Sequence, residues 1–93
     1  MQKTQHTAEY AALCKELRAA RDHASISQRE LAKRLKVPHS WVAKVEIGER
    51  RIDLVEFCHF MAACGLDPTV VSTRLIRRLV KPSATTIGGG RKP

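Results

Sequence analysis

Residues 27–51 read SQRELAKRLKVPHSWVAKVEIGERR, and the way this stretch divides decides the fold of the chain around it. Ser27 stands in front of an amphipathic run at 28–35, with Glu30 three residues on. This Ser-x-x-Glu arrangement is a capping box, in which each side chain can satisfy a backbone N–H of the first turn. Leu31, Ala32 and Leu35 form the apolar stripe of this run, and Arg29, Lys33 and Arg34 point outward. A second run occupies about 39–47 and stops at Gly48, where a residue just past a helix end is expected. Between the two, Lys36 falls in a tight turn. A left-handed conformation there costs a non-Gly residue about 1 kcal/mol, which predicts a slightly distorted turn. Pro38 then presets the helix-start value of φ. Two helices of about eight residues are too short to persist alone in water, so other helices must hold them.

The second run can be read by angle. At about 100° per residue, Val42 and Val45 share one face, while His39, Ser40, Ala43, Lys44 and Ile47 gather on the opposite one. A helix with a narrow apolar back and a small, polar front suits the major groove of B-DNA, which admits an α-helix and rewards side chains short enough for close approach. An ordinary surface helix carries the same pattern. Trp41 lies on the flank of the apolar face, where partial burial competes with a role at the nucleic acid; its indole N–H calls for a partner, and a phosphate is one.

Helical signals continue on both sides. Upstream, Thr7 can cap a helix running to about residue 24. Tyr10, Leu13, Cys14 and Leu17 fit its buried positions, and Lys15, Glu16, Arg18 and Asp22 lie mostly on the other side. Ile26 is placed to tuck under the following helix. Downstream, Glu49, Arg50, Arg51 and Ile52 form a loop, and Asp53 with Glu56 makes a second capping pattern. Leu54, Phe57, Cys58, Met61 and Cys64 then recur at helical spacing and are expected to form the heart of the core. Gly65 ends that helix, and Asp67-Pro68 opens a last one reaching about residue 80. Val71, Leu75, Ile76, Leu79 and Val80 give it more apolar surface than a small monomer needs. Leu75, Leu79 and Val80 are therefore candidates for a self-association patch, rimmed by Arg74, Arg77 and Arg78. From 81 the chain reads KPSATTIGGGRKP, the composition of a flexible basic tail, whose Lys81, Arg91 and Lys92 can add weak phosphate attraction. Residues 1–6 are expected to fray. The organisation is one domain at 1–80 and a tail at 81–93.

The chain has 93 residues, with 17 Lys and Arg against 9 Asp and Glu, a net charge of +8. The excess is uneven: residues 1–53 hold 11 basic and 7 acidic side chains, 54–71 hold 2 acidic and no basic ones, and 72–93 hold 6 basic and no acidic ones. Basic flanks around an apolar, slightly acidic segment suit a nucleic-acid binder with a separate packing face, although charge by itself also describes a merely well-solvated protein. The 3 cysteines, Cys14, Cys58 and Cys64, lack C-x-x-C spacing and read as small core residues in a reducing cytosol. A metal site from Cys58, His59 and Cys64 is disfavoured, because residues 58 and 59 diverge by about 100° on a helix and no fourth ligand offers itself. No run approaches the ~20 apolar residues that span a bilayer, and the polar start is no signal peptide, so a cytoplasmic location is expected, nucleoid-associated when bound, with no membrane role.

The ordered string Ser27, Gln28, Glu30, Leu31, Ala32, Leu35, Val37, Val42, Val45, Glu46 and Gly48 resembles the helix-turn-helix of the Cro and phage-repressor family, the lambda-repressor-like, Xre-type DNA-binding proteins. The resemblance extends upstream to Leu17 and Arg21 and downstream through Asp53-Leu54 to the run at 62–68, covering roughly residues 8–80. It implies an all-α, five-helix domain. Three positions depart from the pattern: Ser25 and Lys36 stand where the family usually has Gly, and Pro38 where it has a Ser or Thr cap. A matching Glu pairs in the family with an Arg of the first helix, which here implies an Arg21–Glu46 ion pair; two unrelated surface charges are the alternative. Those two residues and Trp41 are the expected structural support. The loop after the recognition helix approaches the DNA backbone in the family, which implies phosphate contacts for Arg50 and Arg51. Gln28, at a helix N-terminus where free N–H groups and the dipole favour an anion, is expected to join them. His39, Ser40, Ala43 and Lys44 are the expected base readers.

These readings converge on a sequence-specific regulator of transcription that binds double-stranded DNA. The resemblance implies a homodimer, and the physics agrees: one short helix reads few base pairs, so two copies about one helical turn apart supply the rest. An alternative from another class is an antitoxin or antagonist that uses the same fold to sequester a regulatory protein partner. An enzyme is disfavoured, since neither a catalytic triad order nor paired carboxylates in an apolar run are present, and the Gly run at 88–90 is a linker rather than a phosphate loop. Without an aromatic platform for unpaired bases, RNA binding is disfavoured too. No cofactor is expected.

Overall fold

The computed structural model describes residues 7–80, and the regular structure among them is helical: α1 (Ala8–Ala24), α2 (Gln28–Leu35), α3 (His39–Glu46), α4 (Leu54–Ala63) and α5 (Pro68–Leu79). The expectations for residues 1–6 and for the tail at 81–93 lie outside the described residues.

Local chemistry starts each helix. Thr7 accepts from the Tyr10 N–H at 3.0 Å, Ser27 from Glu30 at 3.0 Å, and Asp67 from Thr69 at 2.9 Å. At α4 the box is complete: Asp53 accepts from the Glu56 N–H at 2.7 Å, and Glu56 accepts from the Asp53 N–H at 3.0 Å. At α2 the Glu30 carboxylate instead accepts from Arg34 Nε at 3.2 Å, one turn along. Pro38, at the N-cap of α3, makes no side-chain cap hydrogen bond. A pyrrolidine ring has nothing to accept with, so α3 starts on backbone geometry alone.

The helix ends hold two non-Gly residues in the left-handed region, Ser25 at φ 58° and Lys36 at φ 60°. The expected distortion at Lys36 is absent. Its N–H donates to Lys33 O at 3.2 Å and the Val37 N–H to Ala32 O at 3.0 Å, closing α2 in a regular turn. The backbone accepts the left-handed strain rather than giving up those two bonds.

Leu17, Leu31, Val42, Val45, Phe60 and Met61 are fully enclosed at the centre. α1 packs on α3, α4 and α5, while α2 packs on α3 and α4, so α3 is gripped from two sides. Two expectations change. Leu54 does not join the core; it is 73% exposed. It is the first residue of α4, and a helical Cβ tilts toward the N-terminus, so its side chain reaches past the packed part of the helix. Leu75, expected on an outer patch, is 4% exposed and fills the core with Val71. At 100° per residue it shares a face with Val71, one turn earlier. Leu79 packs half-buried against the same core, and Val80 lies just beyond the end of α5, exposed. Two ion pairs fasten α5 to α1: Glu16 accepts from Arg74 at 2.9 Å and from Arg78 at 2.6 Å.

Candidate nucleic-acid interface

The back of α3 is fixed by its sequence. Val42 and Val45 enter the core, and Glu46, beside them, is 1% exposed. A carboxylate buried that deeply must be paired and hydrogen-bonded to remain charged. Arg21 Nε donates to Glu46 Oε2 at 2.6 Å and its Nη2 to Oε1 at 3.1 Å, a fork that matches the two oxygens. Gln28 Nε2 adds a third bond to Oε1 at 2.9 Å, and Arg21 Nη1 donates to Ile26 O at 3.0 Å. The pair is thus present and carries more than two residues: α1, α2 and α3 meet on one carboxylate, and Arg21 ties in the turn between α1 and α2. The hydrogen bond to Glu46 raises the Arg21 pKa further above its already high value, so the guanidinium stays charged.

The front of α3 faces outward. His39, Ser40, Lys44 and Ile47 are exposed and Ala43 is half-buried. The structure brings the four expected base-reading residues together on one helix face, with His39 and Ser40 in its first turn.

The flanks differ in detail from the sequence reading. The Gln28 side chain is committed inward to Glu46, which leaves the backbone N–H groups of the first turn of α2 as what this position offers an anion. Trp41 is half-buried against the core, and the Arg50 guanidinium lies over its ring, 5.0 Å from the centroid. Arg50 also donates to both oxygens of Glu56, at 3.2 and 3.3 Å, and to Arg51 O at 2.8 Å. Hydrogen bonding from Asp53 and then from Arg50 holds the Glu56 carboxyl below its usual range. Arg51 lies over the ring of Tyr10 at 4.6 Å, and the Tyr10 hydroxyl accepts from the Ile52 N–H at 3.0 Å. Both loop arginines are therefore backed by aromatic rings, Arg50 by one on α3 and Arg51 by one on α1, which holds two cations in place on the loop after α3.

A family model for the helix-turn-helix domain matches residues 12–73, about two thirds of the chain. The XRE-family like protein from Pseudomonas syringae pv. tomato str. DC3000 is 43% identical, with a TM-score of 0.75 over 83% of this chain and 94% of its own. This chain belongs to the XRE-type helix-turn-helix family. No functionally curated protein matches it. Membership makes the protein a DNA-binding regulator in general terms and identifies α2 and α3 as its helix-turn-helix.

In this helix-turn-helix protein, sequence reading overlooked part of α1. Arg18, expected on the outer side, is exposed but reaches back to donate from Nη1 to Glu46 O at 2.7 Å. Cys14 is buried and its thiol donates to Val45 O at 3.6 Å. Burial raises the Cys14 pKa and pushes that of Cys64 up to about 11, with nearby Glu46 adding to the latter, so both thiols keep their protons. The signal for Arg18 was its spacing: it lies one turn from both Cys14 and Arg21, on the stripe that faces α3. Among the described residues, no group of three or more His, Cys, Asp and Glu side chains is placed to hold a metal ion, and no helix is long and apolar enough to cross a membrane.

Proposed function

We propose that the protein is a sequence-specific transcriptional regulator that binds double-stranded DNA as a homodimer, with α3 in the major groove of each half of a pseudo-palindromic site. The observation that carries this reading is the contrast between the two sides of α3: the back is locked into the core through Val42, Val45 and Glu46, while His39, Ser40 and Lys44 stand free at the front. A reader needs that division, because base hydrogen bonds are directional and a loosely held helix forfeits their selectivity. Lys44 is long enough to donate to guanine O6 or N7, Ser40 can donate or accept, His39 can donate to a base or a phosphate, and Ala43 fits a thymine methyl. Arg50, Arg51 and the first-turn N–H groups at Gln28 set the register on the phosphates. The apolar side chains that a second copy would cover are Ile76 and Val80, 53% and 54% exposed, together with Leu54 and Val55.

Selection of duplexes from a random pool, then footprinting, tests the proposal directly. An enriched motif with two-fold symmetry is expected. Against every single-base variant of one half-site, Lys44→Ala should cost about 1–3 kcal/mol on the preferred sequence and relax choice at one or two base pairs, with little loss on random DNA. Equal losses on all sequences would mean that Lys44 grips the backbone. Absence of any selected motif would favour the partner-sequestering alternative.

A further inference from the structure

Four residues of α1 face α3 and the loop beyond it along one stripe. Tyr10, Cys14, Arg18 and Arg21 lie within about 80° of one another at helical spacing. Each bonds to α3 or the loop after it: Tyr10 accepts from the Ile52 N–H, Cys14 donates to Val45 O, Arg18 to Glu46 O and Arg21 to the Glu46 carboxylate. Cys14 and Tyr10 are buried and serve the core as well. Arg18 differs, because its side chain is exposed and donates to a single carbonyl at the end of the recognition helix.

We propose that Arg18 is a positioning residue that sets how the C-terminal half of α3 is presented to DNA; this rests on the reading that α3 enters the major groove. A guanidinium on the last carbonyls of a helix is a charge-assisted hydrogen bond at the negative end of the helix dipole. The 2.7 Å contact holds Glu46 by its backbone while Arg21 and Gln28 hold it by its side chain. Glu46 is therefore gripped at both ends, and α3 can neither roll about its axis nor lift from α1 without breaking one set. The consequence reaches both sides of Glu46. Lys44, one of the proposed base readers, lies half a turn before Glu46. Its carbonyl accepts from the N–H groups of Glu49 at 2.8 Å and Arg50 at 3.2 Å, so the phosphate-facing loop hangs from the same turn. His39 and Ser40, at the other end of α3, are anchored by the turn from α2 and lie outside this grip. Arg18 thus governs one half of the reading face and not the other.

The test uses the full chain with Arg18→Met, which keeps an unbranched, flexible stem and loses the charge and the donor, and Arg18→Lys, which restores a charge and a donor. Because Arg18 is exposed, neither change repacks the core. The first readout needs no DNA. Amide hydrogen exchange of the free protein should quicken in Arg18→Met at Ile47, Gly48, Glu49 and Arg50, and should stay as in wild type across α2. The second is binding to every single-base variant of a selected half-site. Arg18→Met is expected to lose roughly tenfold on the preferred duplex, concentrated at the base pairs that Lys44→Ala also relaxes, with the salt dependence unchanged and most of the loss recovered by Arg18→Lys. Unchanged exchange together with unchanged selectivity would overturn the proposal. So would a uniform loss on all sequences with the salt slope reduced by about 1, which would make Arg18 a phosphate contact. A wild-type protein that prefers no duplex sequence would sink the functional reading itself, and the role of Arg18 in reading with it, before any variant is compared.

Discussion

Glu46 shows how one residue can be structurally committed while its neighbours remain available. It is 1% exposed, yet it stands between Val45, which is core, and Ile47, which is in solvent. Its buried carboxylate is satisfied by three hydrogen bonds, two from Arg21 and one from Gln28. Removing one partner leaves the other charge buried or poorly compensated, whereas removing both leaves an apolar contact. Arg21→Met and Glu46→Met should therefore each cost about 3–5 kcal/mol, and the double change less than the sum of the two, measured by urea unfolding of all four proteins. Arg21 is partly solvated, which places Arg21→Met toward the upper cost, since it strands the deeper charge. Additive effects below 1 kcal/mol would show that the pair contributes little. The pair itself was foreseeable from the resemblance; the third partner was not. Gln28 reads from sequence as a residue at a helix start, free to meet an anion. Only folding brings Glu46 close enough to capture its amide, and 18 residues separate the two.

At the scale of elements, what was legible was set by local chemistry. Thr7, Ser27, Asp53 and Asp67 cap the helices that their positions predict, and Gly48 and Gly65 follow α3 and α4 with positive φ. Where the reading slipped, the cause was tertiary. Leu54 has the right periodicity for the core but its side chain is 73% exposed, and periodicity does not reveal where a helix outruns its neighbours. The turn at Lys36 was misjudged because the capping bonds of α2 outweigh the strain of a side chain at φ 60°. That strain remains as a small unfavourable term. Lys36→Gly should stabilise the protein by up to about 1 kcal/mol, offset in part by the greater freedom of glycine in the unfolded chain. A higher urea midpoint at an unchanged m-value is the expected outcome, and a lower midpoint would mean the Lys36 side chain has its own stabilising contact. The tie between α1 and α5 makes a second prediction at this scale. Burial opposes ionisation of Glu16, but its hydrogen bonds from Arg74 and Arg78 prevail and keep its carboxyl below the ordinary value. The unfolded chain therefore takes up the proton first as the pH falls. The stabilisation is complete well above the unfolded value of about 4.3 and is lost as the pH drops through the lower folded value. Between pH 6 and 3, wild type should lose more thermal stability than Glu16→Gln, whose side chain does not titrate. Parallel curves for the two proteins would rule out a contribution from this tie.

On the scale of the whole molecule, a chain of net charge +8 repels its own copies, so any dimer must meet where charge is sparse and apolar surface is available. The apolar residues expected there divide on folding. Leu75 belongs to the core and Leu79 leans on it, so a charge at either would act on stability and association together. Ile76 and Val80 remain exposed on the last turn of α5 and just beyond it, and Leu54 and Val55 at the start of α4, a helix whose outward residues carry no Lys, Arg, Asp or Glu between Leu54 and Ala62 other than the half-buried Glu56. Sequence patterning alone could not make that division, because the spacing of Leu75 and Leu79 fits a core face and an interface equally well. Ile76→Glu and Leu54→Glu both change exposed side chains and should leave the unfolding midpoint nearly unchanged, within about 0.5 kcal/mol of wild type. If the homodimer proposal holds, sedimentation in the presence of a symmetric duplex should show two wild-type chains bound together over a narrow concentration range. Ile76→Glu should then bind one half-site at a time, with half-site affinity retained because α3 is untouched. Leu54→Glu separates two arrangements: if it also abolishes joint binding, the surface spans α4 and α5, and if only Ile76→Glu does, α5 alone carries it. Joint binding that survives both changes would place the contact between copies elsewhere on the molecule.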